Sequence, residues 1–120
     1  MSDHLILLLE DQPLISLDLE DALAAAGFTD VVNMRSRSDA MAWLGEHSPD
    51  MVVLDLHLAD GDCHEVLEAL NACGIPSVIY SGTDMPEGWK DGPFAASDWI
   101  EKPADPVRIA EIVAQKLGRS

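Results

Sequence analysis

A chain of 120 residues, 48% of them hydrophobic, has room for one domain built on one core. Its formal net charge of −15, from 22 acids against 7 Lys plus Arg, repels nucleic acid and anionic lipid and argues against direct DNA binding. No apolar stretch is long enough to span a membrane and no basic-then-apolar leader precedes the first strand, so a cytoplasmic protein is expected.

The first element is LILLL, Leu5 to Leu9, a short unbroken apolar run that ends in acids at Glu10 and Asp11. Such a run reads as a buried strand of a parallel sheet. Pro13 suits the first turn of a helix. Ile15, Leu19, Ala22, Leu23 and Ala26 then recur at helical spacing, and Gly27 is placed to end that helix. A short strand follows near Val31 to Met34. Ser36 and Asp39 form a capping pair for a second helix, with Ala40, Trp43, Leu44 and His47 on its apolar face. Ser48-Pro49-Asp50 is a turn into MVVLDL, a third strand that ends at Asp55.

LHLADGD then reads as a loop. Asp62 and Glu65 are placed to cap a third helix, with Cys63, Val66, Leu67, Leu70 and Cys73 inward and Gly74 at its end. Cys63 and Cys73 lack metal-type spacing and read as reduced packing residues. Pro76 opens a fourth strand, Ser77 to Tyr80, leading to Ser81. From Asp84 to Pro93 the glycines and prolines leave a fourth helix short or irregular. A fifth strand near Ser97 to Glu101 leads to Lys102-Pro103. Asp105 and Pro106 start a last helix with Ile109, Ile112, Val113 and Leu117 inward. Strand and helix alternate throughout. The expected fold is an α/β, flavodoxin-like (βα)5 doubly wound parallel sheet of order 2-1-3-4-5, forming a single domain over residues 1–120.

Ligands of such a sheet bind outside the carboxyl ends of its strands. Glu10, Asp11, Asp55, Ser81 and Lys102 all fall there, and in this order strands one and three are neighbours. Three carboxylates within ~5 Å repel by roughly 3 kcal/mol per pair at an effective dielectric of about 20. Protonation or a bound cation relieves that cost. An all-oxygen site with coordination to spare suits Mg²⁺. One carboxylate can then act as nucleophile toward a phosphoryl group, with Lys102 neutralising its oxygens and Ser81 bonding one of them.

LLLED with Glu10 and Asp11, VVLDLHLADGD around Asp55, YSG with Ser81 and EKP with Lys102 and Pro103 resemble the receiver domain of two-component response regulators. The likeness runs along essentially the whole chain. Each piece is common alone; in this order they are specific. The resemblance implies that Asp55 accepts a phosphoryl group from a histidine of a sensor histidine kinase or a histidine phosphotransfer protein. It implies Mg²⁺, with Mn²⁺ as a substitute, on Asp11, Asp55 and the backbone carbonyl of His57, with Glu10 acting through water. It further implies contact of Ser81 and Lys102 with the phosphoryl group, a cis peptide at Lys102-Pro103, and Trp99 at the aromatic switch position, turning inward as Ser81 moves.

The sequence departs from the family pattern in three places. Trp99 is larger than the usual Tyr or Phe, Ala59 replaces a usual Pro, and Cys63 stands where Gly is common. The expected function is that of a stand-alone signalling module, not an enzyme acting on external substrates. The expected form is a monomer or weak homodimer. The kinase would dock on the first helix and the loop after Lys102, and output would pass to a further protein rather than to DNA or a membrane. Two rivals are a degenerate receiver that binds partners without phosphorylation and a phosphatase with an aspartate nucleophile. Intact acids oppose the first. His57, standing where such phosphatases carry a second acid, opposes the second.

Overall fold

Unbroken apolar runs become the central strands because both of their faces are covered. The computed structural model describes residues 4–55, 57–58, 60–81, 98–101 and 105–118. In chain order the elements are β1 (Leu5–Leu9), α1 (Pro13–Ala25), β2 (Asp30–Met34), α2 (Arg37–Leu44), β3 (Met51–Asp55), β4 (His57–Leu58), β5 (Gly61–Asp62), α3 (His64–Ala72), β6 (Ser77–Ser81), β7 (Asp98–Glu101) and α4 (Pro106–Lys116). Five parallel strands form one sheet in the order β2-β1-β3-β6-β7, which is the expected 2-1-3-4-5 arrangement of the main strands. The expected irregular helix over Asp84 to Pro93 lies outside the described residues.

Strand alternation sorts the core into two layers. Ile6, Leu8, Met51, Val53, Val78 and Tyr80 face α1 and α4, where Leu19, Leu23, Ile109 and Val113 meet them. Leu7, Leu9, Val52, Leu54 and Ile79 face α2 and α3, against Ala40, Val66, Leu67 and Leu70.

The helix ends follow from their residues. Pro13 and Pro106 both open helices, and the Asp105 carboxylate accepts the Val107 N–H at 3.0 Å. After α1, Gly27 takes a positive φ of 99°. The N–H of Phe28 then reaches the Leu23 carbonyl at 2.8 Å, which turns the Phe28 ring into the core beside Leu23. Gly74 and Ile75 repeat this motif after α3, with φ 71° and a 2.9 Å bond to the Leu70 carbonyl. Asp50 joins the turn before β3 to the start of β1, its carboxylate accepting the Leu5 N–H at 2.7 Å and its own N–H bonding the Leu5 carbonyl at 2.8 Å.

Several details differ from expectation. His47 lies beyond the end of α2, is exposed, and stacks on Trp43 at a ring separation of 4.6 Å instead of joining the buried face. Cys73 is exposed, because α3 is already ending there. Cys63 is buried but precedes α3 rather than sitting in it. Asp62 pairs with His57 in a short antiparallel ribbon, and Cys63 holds the N-cap position with no side-chain cap bond.

The cap of α2 is more elaborate than a serine. Ser36 Oγ accepts the Asp39 N–H at 3.1 Å, as its spacing indicates. Asp60, from the loop after β3, accepts the two preceding N–H groups, Arg37 at 2.8 Å and Ser38 at 3.1 Å. These backbone donors hold the Asp60 carboxyl below its ordinary value of 3.8. A carboxyl whose pKa falls on folding stabilises the fold above its unfolded value and loses that effect as pH falls through the lowered value. Asp60→Asn should therefore cost stability above about pH 4, and the gap to wild type should close as the pH falls through the lowered value. Urea titrations of both proteins across that range check this; a gap that widens on acidification refutes it.

Candidate functional site

At the carboxyl edge of the sheet, Glu10 and Asp11 leave β1 while Asp55 ends the neighbouring β3. One carboxylate oxygen from each lies within 4.8 Å of the others. The expected convergence of strands one and three is what brings them together. Glu10 and Asp55 are almost removed from solvent, at 1% and 4% exposure, and Asp11 is half-buried. The backbone at this corner is braced. Glu10 N–H bonds the Met34 carbonyl at 3.1 Å, and the Asn33 amide donates to the Leu8 carbonyl at 3.1 Å and the Glu10 carbonyl at 3.4 Å.

Two contacts here were not foreseen from sequence. Tyr80 Oη donates to Glu10 Oε1 at 2.7 Å in a buried setting, while the Gln12 N–H donates to Oε2 at 3.1 Å. Burial first, and then the Glu10 hydrogen bond, push the Tyr80 hydroxyl far above the ordinary tyrosine range, so it stays a donor. The Cys63 thiol donates to the backbone carbonyl of Asp55 at 3.2 Å. The strand register accounts for the first contact once it is known. Tyr80 is in register with Asp55, and a buried tyrosine seeks a partner for its hydroxyl. No sequence pattern announced the second.

Ser81 lies one residue past the Asp55–Tyr80 pair, fully buried at the end of β6. Trp99 is half-buried in β7 and packs on the α2/α3 layer. His57 contributes backbone to the short ribbon just after Asp55. Lys102 and Pro103, and with them the expected cis bond, lie outside the described residues; Glu101, the residue before them, is in register with Ser81.

A family model described as the response regulator receiver domain matches residues 6–114. The chain belongs to that family.

The phyllosphere-induced regulator PhyR of Methylorubrum extorquens is 29% identical over 116 residues, which cover 93% of this chain and 43% of PhyR. The chemotaxis protein CheY of Bacillus subtilis is 26% identical over 117 residues, covering 95% of this chain and 98% of CheY. The solution structure of SdrG from Sphingomonas melonis Fr1 superposes with a TM-score of 0.76 at 30% identity, covering 98% of this chain and 99% of SdrG. The chain thus spans less than half the length of PhyR and nearly all of CheY. Receiver domains of the CheY type are signalling modules of two-component systems, and the phosphoacceptor role belongs to the family.

Receiver domains bind Mg²⁺ in an acidic pocket, and Glu10, Asp11 and Asp55 form one here. The donor set fits a small hard cation, since it is all oxygen, anionic and largely shielded from water. Among the described residues no helix is long and apolar enough to cross a membrane.

Proposed function

We propose that this receiver is a phosphoacceptor switch in which Asp55 takes a phosphoryl group from a phosphohistidine of a sensor kinase or phosphotransfer protein. The observation that carries this reading is the meeting of Glu10, Asp11 and Asp55 within 4.8 Å at adjoining strand ends. An Asp55 carboxylate oxygen attacks phosphorus, the donor's P–N bond breaks, and the imidazole leaves with a proton. Asp11, Asp55 and the His57 carbonyl would hold Mg²⁺ or Mn²⁺ directly, and Glu10 would hold a water on it. The bound cation neutralises charge that three carboxylates and a phosphoryl group would otherwise concentrate in one place.

The remaining roles fall to this chain's own groups. Lys102 pairs with the phosphoryl oxygens, and Ser81 moves to hydrogen-bond one of them. The new charge biases the loops at Ser81 and Trp99 between two arrangements and so changes a protein-binding surface. Docking of the donor on α1 is supported by Leu14 and Leu17, which are 78% and 54% exposed one helical turn apart, and by Val107 at 59% on the adjoining α4. A cytoplasmic location is consistent with a sensor kinase as donor.

Intact mass after incubation with acetyl phosphate tests the reading. With Mg²⁺ the protein should gain one phosphoryl group, and excess EDTA should suppress the gain. A protein that stays unlabelled with Mg²⁺ present is not a phosphoacceptor. Labelling that EDTA leaves unchanged removes the cation from the mechanism.

A further inference from the structure

Tyr80 stands on β6, two strands away from β1, yet its hydroxyl meets Glu10. Strands lie about 4.8 Å apart, so a bond across the intervening β3 must bridge roughly 10 Å between backbones. A tyrosine and a glutamate reaching toward each other cover that span. Phenylalanine has no donor to complete it. The register places Tyr80 beside Asp55, so the ring crosses at the level of the acid cluster and on its face of the sheet. Glu10 Oε1 is thereby held by Tyr80 at 2.7 Å and Oε2 by the Gln12 N–H at 3.1 Å. Two donors from different elements fix the carboxylate's position beside two other acids.

Building on the cation site proposed above, we propose that Tyr80 is a positioning residue for that site, its hydroxyl fixing the Glu10 carboxylate so that it faces the cation's water shell already oriented. Groups that orient a metal site's acids through hydrogen bonds change metal affinity by about 10–100-fold when removed. Tyr80 has the additional property of being the chain's single tyrosine, so any tyrosine signal of the protein reports on this contact.

The test is Mg²⁺ affinity, read by calorimetry on wild type, Tyr80→Phe, Glu10→Gln and the double variant. Tyr80→Phe keeps the ring in the core and removes only the hydroxyl. Its Mg²⁺ dissociation constant should rise about tenfold. In the Glu10→Gln background the same change should alter affinity by less than about twofold, because the group it serves has lost its charge. A purely structural tyrosine would give equal losses in both backgrounds, and that result overturns the proposal, as does wild-type affinity in Tyr80→Phe.

The wild-type protein supplies a second readout should Tyr80→Phe fail to fold. Its tyrosine Raman doublet should show a strong hydrogen-bond donor both before and after saturation with Mg²⁺. Loss of donor character on loading would mean that Tyr80 releases Glu10 when the cation arrives, and the proposal falls. Wild type that takes up no Mg²⁺ removes the proposed function and this inference together. Wild type that binds it, with Tyr80→Phe unchanged, removes the inference alone.

Discussion

Asp55→Asn should leave a folded protein that gains no phosphoryl group from acetyl phosphate under any cation condition. Asparagine keeps the size of the side chain and offers no carboxylate oxygen for attack, so the loss of labelling should be complete. The fold should survive because the local backbone contact is indifferent to the change: the Cys63 thiol bonds the Asp55 main-chain carbonyl, not its side chain. Stability should in fact move the other way. With the three acids held within 4.8 Å, each pair repels by roughly 3 kcal/mol at an effective dielectric of about 20. Neutralising one member relieves up to two such pairs, so in EDTA the variant should equal or exceed wild type in urea midpoint. Adding Mg²⁺ should then narrow or reverse the gap, since a cation that binds only the folded wild type adds stability in proportion to ln(1 + [L]/Kd). Labelling of Asp55→Asn at the wild-type rate would assign the phosphoacceptor elsewhere. A variant less stable than wild type in EDTA would show that the acids do not repel as their spacing implies.

Phe28→Ala should be the most damaging single change away from the site. Phe28 is fully buried, placed by the turn after α1 in the core cluster that also holds Leu23, Ile6 and Leu8. Removing a buried phenylalanine ring costs about 3–5 kcal/mol through lost transfer energy and an incompletely collapsed cavity. Against a typical total of 5–15 kcal/mol, that is a large share for a domain of this size. The urea midpoint should fall while the slope of the transition stays at the wild-type value. In the fraction that remains folded, Mg²⁺ affinity should be unchanged, because Phe28 precedes β2 at the end of the sheet opposite the acids. A loss below about 1 kcal/mol would show that the α1/α4 layer repacks freely around the missing ring.

Much of this arrangement is written in the chain in plain terms. LILLL and MVVLD read as interior strands, and the acids that follow them fall at one edge once the strand order is known. Glu10, Asp11 and Asp55 were therefore legible as a cluster, and the structure brings them together. What escaped has a common physical character. Tyr80 bonding Glu10, the Cys63 thiol on the Asp55 carbonyl, and Asp60 capping α2 are contacts between residues distant in sequence, and each depends on a side chain of particular length arriving from another element. Periodicity reports which face a residue occupies but carries no information on what its far end touches. Cys73 and His47 failed for the opposite reason. Their spacing matched the buried stripe, but each helix ended before that spacing could place them inside.

Alternation along β3 and β6 has a last consequence for how this pocket can change over time. Glu10, Asp55 and Tyr80 share one side of the sheet only because β1, β3 and β6 are matched residue for residue, Leu9 with Leu54 and Asp55 with Tyr80. A one-residue slip of β6 would rotate Tyr80 to the opposite layer and bring its neighbours Ile79 or Ser81 toward the acids. Insertions and deletions should accordingly be tolerated in connecting turns such as that at Ser48 and excluded within the three central strands. To transplant the pocket into another parallel sheet, one would have to carry over the alignment of three strands; the same side chains copied out of phase would point away from one another.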